Sequence, residues 1–243
     1  MVNFAEALAA NGQTTAIFTL ESTEEEASNR YVSAVSGVPH SRVQDWSLMT
    51  ASDFHKIGEA HKQSRNKRIF VTRRIRSLDQ ILAECRRLKM QEGLDAAFID
   101  YFQIIRCAGF RASEREAQMA HVAQTLLEFA VDNQIMIAPL SQLNKERRRR
   151  ENGRIYIDDL KYASAIGESA RVVLLFQRPY ADDKSSGANP HHVLFQIEKN
   201  NENVCGDFEA HFDEVTQAFG EGDCEANDCR SLSKKPAEPR LFA

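Results

Sequence analysis

The sequence predicts an α/β fold with a mostly parallel sheet flanked by helices, and three short runs carry that expectation. Residues 96–99 read Ala-Ala-Phe-Ile and stop at Asp100. An uninterrupted apolar run that ends on an acid suits a strand buried on both faces of a parallel sheet, its carboxylate emerging at the C-terminal edge where α/β proteins hold ligands. The run at 15–20 ends the same way at Glu21, and the run at 135–140 is followed by Ser141 and Gln142. Three strand ends therefore offer Glu, Asp and Gln.

Helical segments fill the intervals. Residues 4–10 are helix formers closed by Asn11 and Gly12, a C-terminal stop. Ser22 and Thr23 precede three glutamates, an N-cap with acids in the first turn, and the helix they open stops at Gly37, Val38 and Pro39. Residues 42–63 hold Trp46, expected as packing filler, and a second amphipathic helix with Phe54 and Ile57 on one face. After a strand at 67–72, Ser77 opens a helix whose Leu78, Ile81, Leu82, Cys85 and Leu88 form one apolar stripe. The longest helix is expected over 113–133, with Met119, Val122, Leu126 and Phe129 at helical spacing. Residues 172–176 (Val-Val-Leu-Leu-Phe) read as another buried strand, and 191–199 with 207–212 as a hairpin. The domain is expected to span 1–219, with 220–243 a disordered tail.

At 243 residues, 42% hydrophobic and 27% charged, the chain suits a single α/β domain. No apolar run nears the roughly 18 residues of a membrane span, and no secretory pattern opens the chain. A cytoplasmic protein with no membrane partner is expected. The net charge of −4 excludes a globally basic nucleic-acid binder, although Lys145, Arg147, Arg148, Arg149 and Arg150 place five cations within six residues. Cys85, Cys107, Cys205, Cys224 and Cys229 form no CxxC pair and read as unpaired thiols.

Phe18-Thr-Leu-Glu21, Ile99-Asp-Tyr-Phe-Gln103 and Leu140-Ser-Gln-Leu-Asn144 occur in an order and at a spacing that resemble the ATPase domain of DnaB-like replicative DNA helicases. The resemblance runs over residues 3–212. It implies a RecA-like P-loop NTPase fold, ATP and Mg²⁺ as cofactors, single-stranded DNA as partner, and a homo-oligomeric ring, hexameric in that family, or entry into a ring of related helicase subunits. In its terms Glu21 activates the attacking water, Asp100 is the Walker B acid that holds Mg²⁺, and Gln142 senses the γ-phosphate. Arg178 and Lys199 are the implied nucleotide contacts, Lys199 acting on a neighbouring subunit's ATP. Arg106 and Arg111 lie in a loop that faces the channel, although two arginines suit an ordinary surface loop equally. Arg147 and the segment that carries Lys161, Tyr162 and Ser164 would hold the DNA backbone. That segment reads D-L-R-E-S-G-x-I in the family and Asp159-Leu-Lys-Tyr-Ala-Ser-Ala-Ile166 here, so Lys161 keeps a charge without the bidentate fork and Tyr162 could stack on a base.

Two departures matter. No GxxxxGK[ST] loop occurs in these residues, and Met1 stands where that loop would just have ended. The fold is thus expected to lack its first (P-loop) strand, and ATP affinity and turnover should collapse without the cradle of backbone N–H groups. The family's K-x-R-N-G hairpin also reads Lys199-Asn-Asn201-Glu-Asn203, which puts Asn201 at the place of a catalytic arginine. A truncated reading frame explains the first departure only; a degenerate relative explains both. Two functions follow, a replicative helicase motor domain that is inactive alone, or a non-catalytic helicase-like protein that binds DNA or a helicase ring.

Overall fold

A computed structural model describes residues 1–72, 75–144, 155–182, 184, 187 and 189–221. The first half of the chain alternates helix and strand: α1 (Val2–Ala10), β1 (Thr14–Thr19), α2 (Glu24–Ser36), α3 (His40–Gln44), α4 (Ala51–Gln63), β2 (Arg68–Thr72), α5 (Leu78–Glu92), β3 (Ala96–Asp100), α6 (Arg115–Asn133) and β4 (Met136–Pro139). Then come α7 (Ala163–Ser169), β5 (Val172–Gln177), α8 (Pro179–Asp182), β6 (His192–Asn200), β7 (Gly206–Asp213) and β8 (Ala218–Glu221).

The strands form two sheets, a parallel one in the order β2-β1-β3-β4 and an antiparallel one in the order β5-β6-β7-β8. The split follows connection length. Helical crossovers return the chain in parallel, whereas short turns after β6 and β7 can only reverse it. The parallel half is as expected from the apolar runs, and the hairpin lies where the alternating segments put it.

Local chemistry sets the helix ends. Thr23 and Glu26 form a reciprocal capping box at the start of α2, and Gly37 ends it at φ +66°, where an L side chain would be strained. All five residues of the α5 stripe are buried, in the main core with Ala16, Phe18, Ala97 and Ile99 of the sheet and Met119, Val122 and Leu126 of α6. Burial pushes the Cys85 thiol there up to about 12, so it is inert at neutral pH. Cys85, Cys107 and Cys205 are free thiols, as expected; Cys224 and Cys229 lie outside the described residues.

The opposite face of the parallel sheet is covered by α1, whose Val2 and Ala5 pack on Ile17, Ala96 and Phe98. Phe4 of the same helix meets Phe195 of β6 edge-on, centroids 6.3 Å apart. On the other face α7 does likewise, its Ala165 in the main core and its Ile166 against both that core and the cluster around Val173 and Leu175 of β5. The two sheets are thus clamped by the same helices above and below. Among the described residues β4 pairs only with β3, and β5 only with β6.

Three expectations need correction. The run at 172–176 is not buried throughout: Val172 is 55% and Phe176 52% exposed, because this end strand has only its Val173 and Leu175 face against the protein. Trp46 is 70% exposed and fills no core. The domain boundary at 219 is too early, since Gly220 and Glu221 pair with His211 and Ala210 in β8, and the neighbouring Phe219 ring lies 4.8 Å from Phe212. The rest of the expected tail lies outside the described residues. Among the described residues no helix is long and apolar enough to cross a membrane.

Candidate functional site

Parallel pairing brings the three polar strand ends to one edge. Thr19 stands opposite Asp100, and Ile99 opposite Pro139, so β1, β3 and β4 finish together with Glu21, Asp100 and Gln142 at their exits. Backbone bonds continue the pairing past the strands. The Leu20 N–H donates to the Asp100 carbonyl at 2.8 Å, the Leu140 N–H to Ile99 at 2.9 Å, and the Phe102 N–H to Leu140 at 2.8 Å. The Arg76 guanidinium adds a bond to the Leu20 carbonyl at 3.0 Å.

Asp100 is only partly exposed, and burial holds its carboxyl above the usual carboxylate range. Arg30 and the Met1 amino group pull the other way, while the Glu21 charge adds to the rise. The amino group's influence places the start of α1 at the same edge, and burial lowers that group's own pKa. A helix start carries unsatisfied N–H groups and partial positive charge, which suit an anion.

This donor set fits Mg²⁺. Among the described residues no three acidic, His or Cys side chains form a metal cluster. Mg²⁺, however, is commonly held by one or two carboxylates together with phosphate oxygens and water. Asp100, with Glu21 close enough to shift it, supplies that much.

The other expected residues are placed as follows. Gln142 and Glu21 are exposed at their strand ends. Arg106 is exposed but fixed by its backbone, its N–H donating to Arg76 at 2.8 Å and its carbonyl accepting from Leu78 at 2.9 Å. Arg111 is exposed, its N–H on the Glu114 carboxylate at 2.8 Å. Lys161 is exposed, with its ammonium 5.8 Å from the centre of the Tyr162 ring. Tyr162 sits at φ +67°, half-buried, with its ring packed against the main core. Ser164 is exposed on α7. Arg147 lies outside the described residues.

Lys199 and Arg178 belong to the second sheet and are engaged within the chain. The Lys199 ammonium donates to the Gly167 carbonyl at 2.7 Å. Arg178 pairs with Glu214 and lies 4.8 Å over the Phe212 ring. Asn201 donates its N–H to the Arg171 carbonyl at 3.0 Å, beside the ion pair of Arg171 with Glu202 at 2.5 Å.

Sequence reasoning overlooked a polar group beneath this edge. Gln103, 8% exposed, donates to the Ser141 hydroxyl at 2.8 Å and to the Lys161 carbonyl at 3.2 Å, and accepts the Gln142 N–H at 3.3 Å. Its own carbonyl is gripped by Arg115, which also bonds Gln118. In sequence Gln103 stood only as the last residue of the Ile99–Gln103 motif, a polar side chain between Phe102 and Ile104.

The profile described as "DnaB-like helicase C terminal domain" matches residues 1–221. The chain belongs to this family. Among curated members, the DnaB-like chain is 27% identical over 191 residues to the replicative DNA helicase DnaC of Bacillus subtilis (strain 168), covering 77% of this chain and 42% of that protein. It is 27% identical over 188 residues to the replicative DNA helicase DnaB of Geobacillus stearothermophilus, covering 76% and 41%. The chain thus spans about two fifths of the length of these relatives. In solved structures the DnaB-like fold recurs in a chain described as an ATPase domain, with a TM-score of 0.84 at 19% identity over 91% of this chain and 79% of that one. A DnaB-like replicative helicase, described with its interactions with primase, gives 0.81 at 20% identity over 90% of this chain and 52% of that one. At such identities the likeness establishes the RecA-like fold.

Proposed function

We propose that this chain is the ATPase core of a DnaB-like replicative helicase, which in a ring with like subunits couples ATP hydrolysis to movement on single-stranded DNA. The observation that carries the reading is the convergence of Glu21, Asp100 and Gln142 on one edge of a sheet of this family. Asp100 would hold Mg²⁺, which when bound neutralises phosphate charge. Glu21, exposed at the same edge, orients and deprotonates the attacking water. Gln142 offers an amide whose hydrogen bond to a γ-phosphate exists in one nucleotide state only, so it can bias a two-state loop. Arg106, Arg111, Lys161 and Ser164 are exposed and available to phosphates, and Arg147 is proposed with them from sequence.

Lys199 and Arg178 would meet nucleotide only after leaving their partners in this chain. That engagement, together with Asn201, favours a second reading, a non-catalytic member that binds DNA or joins a ring of related subunits.

ATP hydrolysis by the purified 243 residues, with and without single-stranded DNA and beside Glu21→Gln, tests the first reading. Without a GxxxxGK[ST] loop in these residues, no turnover is expected from them alone, whereas DNA binding should persist. DNA-stimulated turnover lost in Glu21→Gln would overturn the inactivity. Failure to bind single-stranded DNA would sink the first reading and leave of the second only entry into a ring of related subunits.

A further inference from the structure

We infer that Gln103 is a positioning residue that locks Gln142 and Lys161 into one unit, so that displacement at the strand end is carried to the exposed cation. The inference rests on the reading of Gln142 as nucleotide-facing and Lys161 as DNA-facing. Its geometry stands apart from it.

The three residues close a ring of hydrogen bonds. Gln103 Oε1 accepts the Gln142 N–H at 3.3 Å, the Gln142 carbonyl accepts the Lys161 N–H at 3.0 Å, and the Lys161 carbonyl accepts from Gln103 Nε2 at 3.2 Å. A backbone N–H can only donate and a carbonyl only accept, so these partners fix which end of the amide faces which. The second Nε2 hydrogen goes to the Ser141 hydroxyl at 2.8 Å. Both donors of the side chain are thus engaged, on two segments 38 and 58 residues away in sequence.

Gln103 is itself immobilised. Its backbone lies in a 3-10 turn, its carbonyl is held by Arg115, and Arg115 is held by the buried Gln118. Between Gln142 and Lys161 the chain is further stitched by an antiparallel bridge from Leu143 to Leu160 and by the Asn144 N–H on the Asp159 carbonyl at 2.7 Å. A part-buried network anchored on a buried amide has few arrangements, and moving one member requires the others to follow. Gln142 and Lys161 therefore shift together or the ring breaks.

Two variants separate positioning from mere bulk. Gln103→Glu keeps the volume and the acceptor for the Gln142 N–H but loses both donations. Gln103→Leu loses every bond. Amide hydrogen exchange in the 243-residue chain should show Lys161 released about five- to tenfold in both variants, roughly one net hydrogen bond. Gln142 should be released in Gln103→Leu only, and Phe98 and Met119 in neither. Affinity for a fluorescent oligothymidine should fall about as far in Gln103→Glu as in Lys161→Ala, although Gln103 is buried. Unchanged exchange at Lys161 in both variants, or equal loss of protection throughout the fold, overturns the inference. If the unaltered chain binds no oligothymidine, the helicase reading fails while the exchange pattern still decides the coupling.

Discussion

Asp100 shows what a site residue costs the fold that holds it. Its pKa is raised, by burial first and by Glu21 in addition. Between the ordinary aspartate value near ~3.9 and the raised one, the folded chain binds more protons than the unfolded chain, so stability falls as pH rises through that window. At neutral pH the ionised carboxylate is a net burden. Asp100→Asn is accordingly expected to raise the melting temperature at pH 7, with the gain shrinking as pH is lowered towards 4. Thermal melts of both proteins across that range check it, and a variant less stable than the parent at pH 7 would contradict it. The same substitution should remove Mg²⁺-dependent turnover in any active form. A carboxylate kept where it destabilises the fold is better explained by a ligand than by packing.

At the scale of elements, the legible features were those decided by local chemistry. The α5 stripe was read from spacing alone, and each of its five residues is buried. Leu88→Ala on that stripe is expected to cost about 2–5 kcal/mol, whereas Met90→Ala, two residues on and 87% exposed, should stay within about 0.5 kcal/mol. Urea denaturation of the two variants measures the contrast directly. The apolar runs of β1 and β3 were legible for a similar reason, since a strand flanked by strands and covered on both faces has no polar side. The run at 172–176 misled because composition does not tell a strand inside a sheet from one at its end, where Val172 and Phe176 face outward. Of the site, Glu21, Asp100 and Gln142 were legible as strand endings. Gln103 was not, because its bonds join residues brought near only by the sheet.

For the whole molecule the governing feature is the interruption between β4 and β5. Helices α1 and α7 hold the two sheets together across it, through Phe4 on Phe195 and through Ile166 against both cores. Side-chain packing therefore joins the halves, while among the described residues no strand pairing does. Of the strands with partners on both sides, β1 and β3 of the parallel sheet should exchange their amides only when the whole domain opens. In β4 and β5 the amides that point away from β3 and β6 have no ladder partner among the described residues, and local opening there need break no strand pairing. Hydrogen exchange followed residue by residue is thus expected to give slow amides throughout 15–19 and 96–99, and a mixture of slow and fast ones in 136–138 and 172–177. Uniformly slow exchange in both of the latter segments would mean that the two edges are paired in solution, with each other or with an added strand. Because β4 also ends at Gln142, such closure would tie the mobility of that glutamine to the state of the sheet.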